Sequence, residues 1–93
     1  MPSYRHKPID LVVDVRSRLE YWLGHLEGAT CIPVGKLADA IPKREGVTPT
    51  TRILVYCASG MRSAAAAGIL RSLGYRHVTD GGGIAAARPD YTP

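Results

Sequence analysis

The sequence predicts an α/β fold, a three-layer sandwich in which helices flank a mainly parallel central sheet. Two apolar runs rich in β-branched residues, 9–15 and 52–57, are typical of buried strands, and a helix signal follows each of them. Ser17 and Glu20, after the first run, have the spacing of a capping box. The alanine run 64–67, after the second, has very high helix propensity. Strands that alternate with helices along the chain favour this architecture.

The remaining segments continue the alternation. Residues 1–8 are polar and contain two prolines, so we expect a loosely held arm there, ahead of a single domain at 9–93. The first helix is expected to end at Gly24, where glycine can take the left-handed conformation that stops a helix. The other predicted elements are strands at 30–32 and 75–79, helices at 35–41, 63–73 and 84–87, a loop at 42–51 and a turn at 80–83.

Length and composition are those of one folded domain. The chain has 93 residues, of which 45% are hydrophobic, near the size at which a single core can fold unaided. No apolar run approaches the ~20 residues of a membrane span. The basic segment 1–8 lacks the apolar core of a signal peptide. We therefore expect a monomeric, cytoplasmic protein without membrane contact.

The charge of the chain argues against some classes of partner and ligand. Lysine and arginine number 12 against 8 acidic residues, a net charge of +4, and the basic residues are scattered rather than grouped in a stripe. A nucleic-acid-binding face needs grouped basic residues with interleaved aromatics, so we expect no nucleic-acid partner. The 2 cysteines and 3 histidines lack the spacing of metal ligands, so we expect no metal and no cofactor.

Cys57 is the candidate nucleophile. It ends the strand at 52–57, and a short loop separates it from the helix at 63–73, so its thiol should lie at a helix N-terminus. The unpaired N–H groups and the positive end of the helix dipole should lower the pKa of this thiol and give a thiolate at neutral pH. Arg62 adds a permanent positive charge that suits oxyanions. The candidate anion-binding residues are Ala58, Ser59, Gly60, Met61, Arg62 and Ser63, and we favour Ser63 as the helix N-cap.

Three stretches of the sequence form a recognisable pattern. Residues 13–16 read Val-Asp-Val-Arg and follow the opening strand. Residues 24–33 have the form Gly-His-Leu-x-Gly-Ala-x-x-Ile-Pro, and residues 56–63 the form Tyr-Cys-x-x-Gly-x-Arg-Ser. In their order and spacing these stretches resemble the motifs of single-domain rhodaneses, a family of thiosulfate and persulfide sulfurtransferases. The resemblance extends over residues 9–88.

The resemblance implies a rhodanese-like fold and a persulfide mechanism. In that mechanism the Cys57 thiolate takes the outer sulfur of thiosulfate or a similar small anionic donor and releases sulfite. The sulfur then passes to a thiophilic acceptor such as cyanide or a thiol, or to an acceptor protein. Backbone N–H groups of residues 58–63 would stabilise the persulfide, and Arg62 would orient the donor or close the loop. The residues that would give structural support are Asp14, Arg16 and His25.

Two other functions and the role of the second cysteine stay open. Related folds with a Cys-x5-Arg loop are phosphatases or arsenate reductases, whereas four residues separate Cys57 from Arg62 here. A non-catalytic sulfur-relay or redox module that works with a partner protein would use the same persulfide. Cys31 could resolve an oxidised Cys57 into a disulfide, although its place in a short strand favours a structural role.

Overall fold

The computed structural model describes all 93 residues, which form strands and helices in alternation. The strands are β1 (Ser3–Tyr4), β2 (Lys7–Pro8), β3 (Leu11–Asp14), β4 (Thr30–Cys31), β5 (Arg52–Cys57), β6 (His77–Gly83) and β7 (Tyr91–Thr92). The α-helices are α1 (Arg18–Trp22), α2 (Leu37–Lys43), α3 (Met61–Ser72) and α4 (Ile84–Ala87). Short 3₁₀ helices lie at Val34–Lys36 and Arg88–Asp90.

The central sheet has four parallel strands in the order β4-β3-β5-β6. On one side β5 pairs with β3, where Val13 lies opposite Val55. On the other side it pairs with β6, where Arg52 lies opposite His77. The carboxyl ends of all four strands therefore meet at one edge, which is where α/β sheets bind ligands. The predicted parallel sheet is confirmed.

Two apolar cores lie on the two faces of this sheet, because successive side chains of a strand point to opposite faces. The first core joins Val13, Val15, Ile53, Val55 and Cys57 to Leu37, Ile41, Ala66, Ala67 and Leu70 of α2 and α3. The second joins Val12, Leu54 and Tyr56 to Tyr4, Ile9, Leu26, Ala29 and Ala87. Helices on both faces confirm the three-layer sandwich, and Cys57 points to the α3 side.

Residues 1–8 fold with the rest of the domain. β1 pairs antiparallel with both β2 and β7, so the two ends of the chain share a small three-stranded sheet. Tyr4 is buried in the second core together with Ile9. The polarity of this segment predicts a loosely held arm, but residues 1–8 instead form two strands of this sheet. Its partner β7 lies at the other end of the chain, beyond the reach of local sequence patterns.

Two boundaries near the centre of the chain differ from the prediction. α3 begins at Met61 rather than at residue 63, because Gly60, with a φ of 106°, serves as its N-cap. β6 continues to Gly83, where a turn at 80–83 was expected, and the register between β5 and β6 shifts just before Cys57. Both differences bring backbone close to the candidate nucleophile.

The helix predicted at 35–41 is a 3₁₀ turn followed by α2, which continues across Pro42 to Lys43. The rule that a proline ends a helix at the preceding residue therefore fails by two positions here, since α2 ends at Lys43 rather than at Ile41. The longest helix, α3, has 12 residues. None of the helices is both long and apolar enough to cross a membrane.

Candidate active site

Cys57 is the last residue of β5, the strand that lies between β3 and β6. After it the chain turns through Ala58, Ser59 and Gly60 and enters α3 at Met61. The Cys57 residue is fully buried, whereas Ala58 and Ser59 are exposed. The loop thus covers the sulfur from outside, and the strand, loop and helix predicted around Cys57 are all present.

Gly60 turns the loop towards the sulfur. Its φ of 106° lies in the left-handed region that only glycine adopts without strain. In this conformation the Gly60 N–H donates to Cys57 Sγ at 2.9 Å. Burial raises the pKa of the Cys57 thiol, but hydrogen bonds from the Ser63 hydroxyl and from the N–H groups of Ser63, Gly60 and Ser59 outweigh it, and the pKa is lowered. Cys57 is therefore placed to react as a thiolate.

Ser63 is the third residue of α3 rather than its N-cap. Gly60 occupies the cap position, so the predicted cap role of Ser63 is wrong. The buried Ser63 hydroxyl instead donates to the Gly60 carbonyl oxygen at 3.0 Å. Because a hydroxyl carries one rotatable proton, Ser63 can turn from this carbonyl to donate to the Cys57 thiolate.

Arg62 binds Glu20 of α1 through two parallel hydrogen bonds. Nη1 donates to Oε1 at 2.7 Å and Nη2 donates to Oε2 at 2.9 Å. The same carboxylate accepts from the Ser17 N–H at 3.1 Å, which confirms the capping box. The Arg62 guanidinium lowers the pKa of Glu20 to about 2. Glu20, predicted only as part of a helix cap, therefore also ties α1 to residues 58–63, the candidate active-site loop. Donor contact by Arg62 stays a prediction.

Asp14 and Arg16 form a buried ion pair at the end of β3. Arg16 Nη2 donates to Asp14 Oδ2 at 2.7 Å, and the Arg16 N–H donates to Oδ1 at 2.9 Å. The side chains are 0% exposed for Asp14 and 8% for Arg16. Arg16 Nη2 also donates to the Gly24 carbonyl oxygen at 2.6 Å. The pair thus joins the end of β3 to the segment that follows α1.

His25 packs on the helix that precedes it. Its ring stacks on Tyr21 with the centroids 3.7 Å apart, and its Nδ1 lies 2.8 Å from the Tyr21 carbonyl oxygen. The Tyr21 hydroxyl donates to the Ala29 carbonyl oxygen at 2.7 Å. These contacts hold the loop after α1 against the helix, which is the kind of support expected of His25.

Gly83 of β6 lets the loop after Cys57 lie close to the sheet. A Cβ added at Gly83 would lie 2.5 Å from the Ala58 carbonyl oxygen and 3.3 Å from the Ser59 Cα. A Cβ at Gly81 would lie 3.2 Å from a backbone oxygen of β5. Neither glycine was predicted as part of the site, and the only signal in the sequence is the run of three adjacent glycines.

We expect Gly83→Ala to destabilise the domain and to slow the alkylation of Cys57. The new methyl group collides with the Ala58 backbone, and overpacking of this kind costs about 1–3 kcal/mol. Urea unfolding and the rate of reaction with iodoacetamide measure the two effects. Gly68→Ala in α3 is the control: nothing lies within 4 Å of its added Cβ, so it should not destabilise the protein. A Gly83→Ala protein as stable and as reactive as wild type would show that the close approach is not required.

Cys31 lies at the same edge of the sheet as Cys57 but on the other face. In the sheet, Cys31 pairs with Asp14, and Asp14 pairs with Tyr56. Because paired residues of neighbouring strands share a face, the Cys31 side chain lies on the same face as Tyr56. Because β3 lies between their strands, the two cysteine Cα atoms are two strand spacings, about 10 Å, apart. A disulfide needs Cα atoms within about 7 Å. Cys31 therefore cannot resolve Cys57 within one folded chain.

The two thiols are expected to become reactive towards an alkylating reagent at different pH values. Burial raises the pKa of Cys31, whereas the pKa of Cys57 is lowered. Only the thiolate reacts, so as the pH rises Cys57 should become reactive below the titration of an ordinary thiol and Cys31 above it. Iodoacetamide labelling over a pH series, followed by peptide mass mapping, measures both rates. The opposite order would contradict the hydrogen-bonded thiolate.

Two cavities lie at the amino end of the sheet, away from Cys57. One of about 450 Å³ is lined by Asp10, Leu11 and neighbouring residues. The other, of about 390 Å³, is lined by basic residues that include Lys7 and Arg52. No three His, Cys, Asp or Glu side chains lie close enough to hold a metal ion. Neither cavity is lined by Cys57 or by residues 58–63.

Comparisons with known proteins converge on one domain family. The model of the Rhodanese-like domain matches residues 3–85. The chain is 34% identical over 76 residues to the thiosulfate sulfurtransferase PspE of Escherichia coli, a match that covers 77% of this chain and 68% of that protein. It is 33% identical over 86 residues to a tRNA uridine(34) hydroxylase of Erwinia tasmaniensis, covering 87% of this chain but 25% of that protein. A solved structure described as rhodanese with anions from E. coli superposes with a TM-score of 0.78 at 29% identity, covering 88% of this chain and 95% of that one.

Proposed function

The chain belongs to the rhodanese-like domain family, and on that basis we propose that it is a sulfurtransferase in which Cys57 carries the transferred sulfur as a persulfide. The observation that carries the proposal is the environment of the thiol. Cys57 Sγ lies buried at the carboxyl end of β5 and accepts the Gly60 N–H at 2.9 Å, and its pKa is lowered. The name of the relative PspE supports thiosulfate as one donor.

The first half-reaction moves one sulfur atom onto the protein. The Cys57 thiolate attacks the outer sulfur of thiosulfate, and the sulfur–sulfur bond of the donor breaks. Its electron pair leaves with sulfite, so the balance is Cys–S⁻ + S–SO₃²⁻ → Cys–S–S⁻ + SO₃²⁻. No proton is transferred, because the step starts from the thiolate. No general base is therefore needed beside Cys57.

The second half-reaction returns the protein to its starting state. Cyanide or a thiolate acceptor attacks the outer sulfur of the persulfide and forms thiocyanate or a new persulfide. The electron pair of the broken sulfur–sulfur bond goes back to Cys57, which leaves as a thiolate. A thiol of low pKa is the better leaving group in this step. The lowered pKa of Cys57 thus serves both half-reactions.

The active-site loop stabilises the negative charge throughout the cycle. The N–H groups of Ser59, Gly60 and Ser63 and the Ser63 hydroxyl are the groups that lower the pKa of Cys57. The backbone N–H groups are held in place by the turn and by the first residues of α3, so only the Ser63 hydroxyl has to rotate, away from the Gly60 carbonyl oxygen, to donate to the sulfur. The same donors that ionise the thiol are therefore available to the persulfide anion.

The geometry favours sulfur transfer over the alternatives. Four residues separate Cys57 from Arg62, one fewer than in the Cys-x5-Arg loop of related phosphatases, and both terminal nitrogens of Arg62 bind Glu20. A partner-dependent relay would form the same persulfide and would differ only in needing an acceptor protein. The tRNA hydroxylase relative is matched over 25% of its length, so its whole activity is not carried over to this chain.

Intact mass spectrometry tests the proposal. After incubation with thiosulfate, the wild-type protein is expected to gain the mass of one sulfur atom, and cyanide is expected to remove it. Peptide mapping should place the added atom on Cys57. Cys31→Ser, which changes the thiol on the opposite face, should gain the same mass. A wild-type protein that gains no sulfur from either thiosulfate or a small persulfide would overturn the proposal.

A further inference from the structure

We propose that Glu20 is a specificity-determining residue that, by neutralising Arg62, favours singly charged sulfur donors over the thiosulfate dianion. The inference rests on the proposed function and names its donor class, which is small persulfides and organic thiosulfonates. Arg62 is the only arginine in the active-site loop, at the second position of α3. The partner of the Arg62 guanidinium therefore determines how much positive charge a donor encounters near Cys57.

The Glu20 carboxylate accepts hydrogen bonds from both terminal nitrogens of that guanidinium, Nη1 and Nη2. The two hydrogen bonds are 2.7 and 2.9 Å long, and the side chains are 37% exposed for Arg62 and 34% for Glu20. The pair thus lies at the surface, next to the loop that follows Cys57. Arg62 is in the first turn of α3, and Gly60, the N-cap of this helix, donates to Cys57 Sγ. The hydrogen bond to Glu20 raises the pKa of Arg62 most, and the charge of Cys57 raises it further. The Glu20 carboxylate opposes the effect of the guanidinium charge on a donor.

Two neighbouring arginines, Arg16 and Arg18, do not replace Arg62. Asp14 and Arg16 neutralise each other in their buried pair. Arg18 on α1 is exposed and acts on the Cys31 thiol, whose pKa it lowers in part, on the other face of the sheet. A donor at Cys57 therefore meets backbone N–H groups and a neutralised arginine. Next to this pair, the field suits one negative charge better than two.

The charge of Glu20 is not needed for its other role. As the third residue of α1 it completes the capping box with Ser17, and glutamine serves at this position as well as glutamate. A carboxylate is required only by the bond to Arg62. Glu20→Gln therefore separates the two roles, because it keeps the helix cap and leaves Arg62 without a counter-charge.

The first measurement compares two donors that deliver the same sulfur atom. Thiosulfate carries two negative charges and benzenethiosulfonate carries one, and each leaves as an oxyanion of the remaining sulfur when its sulfur–sulfur bond breaks. The ratio of kcat/KM for thiosulfate to that for benzenethiosulfonate is expected to rise about fivefold in Glu20→Gln, the effect of one unit charge at close range in water. Arg62→Gln is expected to lower the ratio by a similar factor. The double variant should return close to wild type, since both charges are gone.

The second measurement does not depend on sulfur transfer. Iodoacetate carries one negative charge and iodoacetamide none, and both alkylate the Cys57 thiolate. The ratio of their rate constants is expected to rise about fivefold in Glu20→Gln and to fall in Arg62→Gln, for the same electrostatic reason. Circular dichroism of each variant shows whether the fold is kept.

Asp10→Asn is the matched control. Asp10 also binds an arginine, Arg52, with bonds of 2.7 and 2.9 Å, so this variant removes the same chemistry and the same charge. Arg52 starts β5 and Cys57 ends it, which places the control about 17 Å from the sulfur. Both ratios are expected to stay at their wild-type values, because solvent and salt screen a charge at that distance.

The outcomes separate the two proposals. Equal losses with both donors and both reagents in Glu20→Gln and Arg62→Gln, with unchanged ratios, would overturn the role of Glu20 in specificity and leave the pair as a purely structural link. An alkylation ratio that shifts as expected in a protein that accepts sulfur from no donor would overturn the proposed function while keeping the effect of Glu20 on charge selectivity at Cys57.

Discussion

Cys57→Ser is expected to reduce sulfur transfer to background while the domain stays folded. Serine is close to cysteine in size and can accept the same Gly60 N–H, so the turn before α3 should be kept. Its hydroxyl does not ionise at neutral pH and forms no persulfide. Removing the nucleophile lowers kcat by more than about a thousandfold in enzymes that depend on one. Thiocyanate formation from thiosulfate and cyanide measures the loss.

Two further measurements make this result specific to the chemistry. Thermal unfolding of Cys57→Ser should resemble that of wild type, which separates a lost reaction from a lost fold. Cys31→Ser should keep its turnover, because its thiol lies on the opposite face. Substantial turnover by Cys57→Ser would contradict the assignment of Cys57 as the sulfur carrier.

Asp14→Ala is expected to give the largest loss of stability. The variant leaves the Arg16 guanidinium buried, with the Gly24 carbonyl oxygen as its one remaining hydrogen-bond partner. Breaking one side of a buried ion pair costs about 3–5 kcal/mol. Since domains are stable by only about 5–15 kcal/mol, much of the free energy of unfolding would be lost. The midpoint of urea unfolding measures it.

Asp10→Ala provides the comparison for this prediction. Asp10 makes a similar bidentate pair with Arg52, but the side chains are 33% and 40% exposed. Exposed pairs contribute about 0–1 kcal/mol, so the urea midpoint should move little. If the two alanine variants lost the same stability, the burial of the Asp14 pair would not be what makes it important.

The parts of the fold that could be predicted are those encoded by local patterns. The run at 52–57 is β5 with the predicted bounds, and the spacing of Ser17 and Glu20 forms the predicted capping box. The thiol at the end of β5 follows from the same local order of strand, glycine-containing loop and helix. Each of these depends on residues a few positions apart, where periodicity and capping act.

The parts that could not be predicted depend on contacts between distant segments. Glu20 and Arg62 are 42 positions apart, and nothing near either residue indicates its partner. The place of Gly83 in the site depends on how closely β6 approaches the loop after Cys57. The pairing of β1 with β7 joins the two ends of the chain. Such contacts arise only once the sheet has assembled.

The placement of the two thiols on opposite faces determines how the protein responds to peroxide. Oxidation of Cys57 gives a sulfenic acid, which in many proteins is trapped by a neighbouring thiol as a disulfide. Here Cys31 is about 10 Å away across β3, so no thiol of the same chain can trap it. Only a thiol from solution or from another protein can return Cys57 to its reduced form before a second oxidation makes the irreversible sulfinic acid. The rate at which Cys57 is irreversibly oxidised under peroxide is therefore expected to fall as the concentration of surrounding thiols rises.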